Sequence, residues 1–364
     1  MSTRAPLSYR LHIDIPLLGG LLLLAMMSFM ILYSAGGQNE GLLIRQSLRL
    51  LLAFAVMIAV AQIPLRYWQL VAPWLFGAGV LLLIAVLLFG DISKGAQRWL
   101  DLRVFRFQPA EIMKLAVPIM IAWYLSNKRL PPTGWHIVVA GLLIIIPVGL
   151  IAKQPDLGTA LLIASAGVFV LLLSGMSGRL IGACVLLLAG AAPVLWHFLH
   201  DYQRQRVHTF FDPESDPLGS GYHIIQSTIA IGSGGVYGKG WMNGTQSYLD
   251  FLPERTTDFI FAVYGEEFGL VGILVLLGLY LFVVARGLYI SLYAPDTFSR
   301  LLGSSLTLTF FVYVFVNIGM VTGLLPVVGV PLPLISYGGT ALVTLMAAFG
   351  ILMSIQTHRK LLPT

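Results

Sequence analysis

One cysteine, Cys184, stands in 364 residues, and it lies inside an apolar run. That excludes an intramolecular disulfide and any multi-cysteine zinc or iron–sulfur site. Charge is nearly as scarce: Asp, Glu, Lys and Arg make up 10% of the chain, against about a quarter in a soluble domain. The seven histidines are scattered. Their one close pair, His197 and His200 in WHFLH, has no third ligand in view, and an interfacial helix end accounts for it. No GxGxxG occurs. The run GSGGVYGKG fails as a phosphate loop, with Ser233 where Gly is needed and Gly240 where Ser or Thr is needed. A flexible turn that brings Lys239 to an anion is still open.

What fills the chain is hydrocarbon. Apolar residues reach 57% and the mean hydropathy is +0.86, so an all-α polytopic membrane protein is expected, with residues 1–364 as one membrane domain. Apolar runs long enough to span a bilayer fall near 15–35, 43–63, 70–90, 109–126, 135–152, 157–175, 179–200, 257–285, 300–323 and 338–356. Ten spans put both termini on one side. The first run has no small-residue cleavage site after it and is expected to stay as an anchor.

Charge then orients the chain. Ten basic and two acidic residues fall on the terminal side, and twelve basic and fourteen acidic on the other. The terminal-side cations sit in short loops almost without acids, so the positive-inside rule puts both termini in the cytoplasm. The sequence pI near 9.4 reflects this asymmetry and argues for no nucleic-acid partner.

The unusual polar residues gather on the opposite face. Two long loops lie there, at about 91–108 and 201–256. The first holds Lys94, Arg98, Arg103 and Arg106 with Trp99, Phe105 and Phe107 interleaved. Such a set suits a lipid head group or an ordinary interfacial loop. Pro109 fits a first helical turn, and Glu111 and Lys114 sit at i, i+3, as an ion pair or as substrate ligands. In KQPDLGT, Asp156 is placed as an N-cap, which leaves Lys153 and Gln154 unexplained. The second loop brings Arg204, Arg206, an acidic turn over 212–216, and IIQSTIAI, too short to span. In PVVGVPLPLISYGGT, Pro326, Pro331 and Pro333 prevent regular helix, which is tolerable beside a wet cavity. Ser336 and Tyr337 are its polar residues. The stretch FLPERTTDFIFAVYGEEFG carries Glu254, Arg255 and Asp258 into an apolar run. There, Asp258 is either a helix cap or a working carboxylate.

Together GAQRWL, FQPAEIMK, KQPDLGT, GSGYHIIQS, IAIGSGGVYGKG, LPERTTDFIFAVYGEEFG and GLLPVVGVPLPLISYGG resemble the SEDS family of membrane glycosyltransferases. The likeness covers nearly the whole chain, in order. It is closer to the cell-elongation branch, RodA, than to the division branch, FtsW, because of FLPERTTDFIF and an N-terminal tail of only about 14 residues. The resemblance implies a bacterial inner-membrane protein with periplasmic loops that polymerises lipid II into peptidoglycan. It also implies a class B penicillin-binding protein as partner within the elongation complex, and it places the family's essential aspartate at Asp258.

The chemistry agrees with that assignment. Converting an α-linked donor to a β-1,4 bond needs one base at the acceptor hydroxyl. Diphosphate leaves readily once cations neutralise it. Asp258 is the expected base, on the periplasmic lip of its helix, with Glu254 as the other candidate. Arg98, Glu111, Lys114, Lys153, Asp156, Arg204, Arg206, Lys239, Glu254 and Ser336 are the expected substrate-binding set. A divalent cation, Mg²⁺ or Mn²⁺, is left open. A lipid II flippase and a division-type polymerase are the alternatives. Against a transporter stand the absence of any repeat between the halves and the one-sided polar groups.

Overall fold

The computed structural model describes residues 12–93, 96–101, 106–198, 201–216, 219–245 and 254–357. Lys94, Arg103, Phe105 and His200 lie outside the described residues. The bundle is built from α1 (Ile15–Ala35), α2 (Glu40–Ala61), α3 (Leu65–Phe89), α4 (Pro109–Ser126), α5 (Gly134–Lys153), α6 (Leu157–Leu173) and α7 (Gly178–Phe198). After the second loop come α10 (Ile260–Leu292), α11 (Thr297–Val321) and α12 (Thr340–Thr357). The long loops are not bare. Between α3 and α4, β1 (Asp91–Ser93), β2 (Ala96–Asp101) and β3 (Arg106–Phe107) form an antiparallel ribbon in the order β1-β2-β3. Between α7 and α10 lie α8 (Asp201–Phe211) and α9 (Ser220–Gly234).

Among the described residues, seven helices are long and apolar enough to cross a membrane, by length and composition. Helix starts follow local chemistry. Asp14 accepts from the Leu17 N–H at 2.9 Å, Asn39 from Leu42 at 3.1 Å, and Asp296 from Ser299 at 3.0 Å. Helix α2 packs on α12, α3 on α4, α6 on α5 and α11, and α9 on α10. Helix α7 makes only weak contacts, and its Val185, Leu186 and Leu187 are exposed, as suits a lipid-facing surface. On the terminal side Arg286 grips Asp14 bidentately, at 2.6 and 3.0 Å, tying the start of α1 to α10.

The span expected over 257–285 is not one straight helix. Gly269 sits at φ 63°, ψ −163°, a region open essentially to glycine alone. There α10 folds back on itself: the Tyr264 hydroxyl donates to the Gly272 carbonyl at 2.9 Å. A straight helix would hold Thr257 and Tyr280 about 34 Å apart at 1.5 Å per residue. Instead both reach one short turn, since Ser336 Oγ donates to the Thr257 carbonyl at 2.6 Å and Tyr280 donates to Pro333 at 2.7 Å. The short first arm therefore carries the 254–259 turn onto the 332–337 turn. A Cβ at Gly269 would stand 2.3 Å from the Gly238 nitrogen, so the strand of loop after α9 fills the elbow.

Candidate active site

Three motifs far apart in sequence meet on one segment, residues 326–339, which stays non-helical as its prolines require. Its tight turn is closed by Ser336, whose Oγ accepts from the Leu332 N–H at 2.8 Å. On one side the segment holds the Asp258 turn. Tyr337 N–H donates to the Thr256 carbonyl at 2.8 Å, and Ser336 to that of Thr257. Gly329 lies under the carboxylate: a Cβ there would stand 3.5 Å from Asp258 Oδ2. On the other side a Cβ at Gly158 would meet the Val328 carbonyl at 2.9 Å, so the start of α6 packs backbone to backbone on the same segment.

Asp258 is half-buried and is not the helix cap. The N-cap position of α10 falls on Phe259, which makes no side-chain cap bond. The turn is wound instead around Glu254, whose carbonyl accepts from Thr257 and Phe259 N–H groups at 3.0 and 3.3 Å. The exposed Glu254 side chain accepts from Thr257 Oγ1 at 2.7 Å.

Beside Gly158, Asp156 does cap α6, accepting from Thr159 N–H at 3.2 Å, and it also takes Gln108 Nε2 at 3.0 Å. Arg98 on β2 lies 3.9 Å from the same carboxylate and donates to the Gln154 and Pro155 carbonyls. The expected residues Arg98 and Asp156 are thus brought together, and exposed Lys153 ends α5 next to them in the chain. One turn into α4, Lys114 pairs with Glu111 at 2.7 Å, both buried, with the ammonium 5.3 Å from the centre of the Tyr313 ring. Among the described residues Glu111 Oε2 has no hydrogen-bond partner.

The remaining cations are placed elsewhere. Lys239 is tied to Glu266 Oε1 at 2.7 Å and Thr245 Oγ1 at 2.7 Å, in the elbow of α10. Its charge has a buried counter-ion, as a loop anchor would. Arg204 and Arg206 lie on α8, where Arg204 donates to the His197 carbonyl at 3.0 Å.

Glu111 and Gln108 also edge a cavity of about 610 Å³ whose walls are mostly apolar, among them Leu52, Leu75, Ile112 and Val343, with Arg49, Thr340 and Thr344 as further polar residues. It runs between α2, α3, α4 and α12. An apolar slot ending at buried polar groups fits an amphiphile, with its chain in the slot and its head at Gln108 and Glu111.

Asn317, which the sequence reading passed over, is fully buried on α11. Its Nδ2 donates to the carbonyls of Asp258 at 2.9 Å and Val330 at 2.7 Å, pinning the turn to the segment beneath it. An amide inside an apolar helix is costly unless bonded, which was the available signal. Asn317→Leu should orphan both carbonyls at about 1–3 kcal/mol each and release the Asp258 turn. The expected result is at least a tenfold lower kcat, with the fold retained by circular dichroism. Unchanged kcat would show that Asn317 does not position the turn.

The architecture defines a polytopic helical membrane protein whose candidate site is a carboxylate on a folded-back arm, packed on the same non-helical segment as the start of α6. The chain belongs to the FtsW/RodA/SpoVE family, described as cell cycle protein, whose family model matches residues 9–361. It is 57% identical to the peptidoglycan glycosyltransferase MrdB of Escherichia coli, over 97% of this chain and 96% of that protein. It is 35% identical to MrdB of Helicobacter pylori, over 96% and 91%. Among solved structures, a chain reported under structural coordination of polymerization and crosslinking by a peptidoglycan synthase complex aligns with TM-score 0.82 at 35% identity. That match covers 94% of this chain and 97% of the other. The rod shape determining protein RodA of Thermus thermophilus aligns with TM-score 0.71 at 29% identity, over 95% and 98%.

Proposed function

We infer that this chain is the peptidoglycan glycosyltransferase of cell elongation, polymerising lipid II into β-1,4 glycan strands. The observation that carries the mechanism is the junction at residues 326–339, which seats Asp258 on one side and the Arg98–Asp156 wall on the other. In this reading Asp258 takes the proton from the acceptor hydroxyl as it attacks the anomeric carbon from the face opposite the diphosphate, inverting it. Arg98 and Lys114 offset charge on the departing undecaprenyl diphosphate. The apolar slot takes part of the polyprenyl chain, while Gln108 and Ser336 hold the walls in register. Among the described residues no three His, Cys, Asp or Glu side chains cluster as a metal cage. No step is therefore assigned to a protein-held cation; Mg²⁺ or Mn²⁺ carried in on the diphosphate fits this donor set better.

Basic loops on the terminal side support cytoplasmic termini in the inner membrane, with the site opening to the periplasm. The described residues form one helical bundle with small loop elements and no separate domain for peptide cross-linking. A class B penicillin-binding protein in the elongation complex fits as partner, packing against the membrane helices. Purified chain supplied with fluorescent lipid II tests the reading. Polymer on a gel is expected. Translocation of lipid II across proteoliposomes without polymer would support a flippase instead.

A further inference from the structure

His223 has no role in the mechanism above, yet it stands beside the base. It sits in the first turn of α9, and its ring stacks on Phe259, the residue after Asp258, with centroids 5.3 Å apart and planes at 23°. Tyr222 lies edge-on to it at 6.4 Å. The two ring nitrogens differ. Nδ1 is buried and makes no hydrogen bond. Nε2 is not enclosed in this way and is bonded to no described residue.

That asymmetry sets the tautomer. A buried N–H without an acceptor is among the rarest defects of folded proteins, whereas an idle lone pair is more easily borne. The proton therefore belongs on Nε2. Burial pushes the imidazole below its ordinary value of 6.5, and the carboxylates of Glu254 and Asp216 pull it back only in part. A neutral ring with one outward N–H results. The carboxylates that act on the ring are those of Glu254 and Asp216, and Asp258 precedes the Phe259 on which it stacks. Carboxylates in themselves disfavour a diphosphate. Sugar hydroxyls are tolerated there, because they can donate to carboxylates and accept from a neutral N–H, and an amide carbonyl can accept from that N–H.

We propose that His223 is a substrate-contact residue whose Nε2–H donates to an oxygen of the acceptor saccharide, orienting its hydroxyl toward Asp258. This rests on the polymerase reading, so wild-type protein that made no polymer would defeat that reading first. With polymerisation established, the test is steady-state kinetics of three variants on lipid II. His223→Phe keeps the aromatic stack and loses the donor, and its kcat/KM should fall about tenfold, the worth of one hydrogen bond near the upper end of the usual range. His223→Gln, whose amide nitrogen reaches the Nε2 position, should recover to within about threefold. His223→Asn, which mimics Nδ1, should resemble the Phe variant. Inhibition by undecaprenyl diphosphate, which has no sugar, should be the same in wild type and His223→Phe. A Phe variant with wild-type kcat/KM would reduce His223 to a packing ring. A Gln variant as poor as Phe at unchanged melting temperature would reject the donor role. A tenfold loss of diphosphate inhibition would reassign the contact to the leaving group and overturn the proposal.

Discussion

Asp258→Asn is expected to lower glycan polymerisation by about 10²–10⁴-fold, the usual contribution of general base catalysis. The substitution keeps the shape of the side chain and cannot take a proton from a sugar hydroxyl at neutral pH. The backbone of the turn is held by groups other than this carboxylate. Asn317 holds the backbone carbonyl of residue 258, and Ser336 and Tyr337 hold those of 257 and 256. The α10 N-cap falls on Phe259, so no helix start is lost. Melting temperature and partner co-purification should therefore stay near wild type while polymer disappears from the gel. A folded, partner-bound Asp258→Asn protein making glycan at a near-normal rate would show that the base lies elsewhere, with Glu254 the next candidate.

Lys114→Met is expected to act through stability as well as chemistry. Lys114 and Glu111 are each about 7% exposed and pair at 2.7 Å inside the bundle. Removing one partner of a buried pair costs about 3–5 kcal/mol, because the other charge is left uncompensated. Among the described residues Glu111 Oε2 already lacks a hydrogen-bond partner. The single variant should lose its sharp melting transition, or most of its yield from membranes. The double variant Lys114→Met/Glu111→Gln removes both charges, so the melting temperature should return most of the way. Polymerisation then decides the role. If Lys114 neutralises diphosphate, the stable double variant should still be impaired at least tenfold, as an electrostatic contact in catalysis predicts. Full activity would leave the pair purely structural.

Membrane embedding, the ten apolar runs and the helix starts at Pro109 and Asp156 were legible in the sequence. They depend on the bilayer and on neighbours within one turn, where residue type and spacing suffice. The non-helical run 326–339 was legible for the same reason, since three prolines forbid a helix whatever surrounds them. Lys239 illustrates the limit. Its loop advertised an anion, but the anion is Glu266, 27 residues later, and only folding makes them neighbours. Asp258 illustrates it further. An apolar run containing glycine reads as one span, because glycine is tolerated in membrane helices, and nothing local reveals that Gly269 takes a positive φ. That reversal brings the turn that carries Asp258 to a seat over Gly329, where Asn317 and Ser336 hold the backbone carbonyls of residues 258 and 257. Chain composition by itself determined that the protein lives in a membrane. Tertiary structure alone decided which carboxylate faces which cations, because those distances depend on backbone reversals and close glycine contacts between segments far apart in the chain.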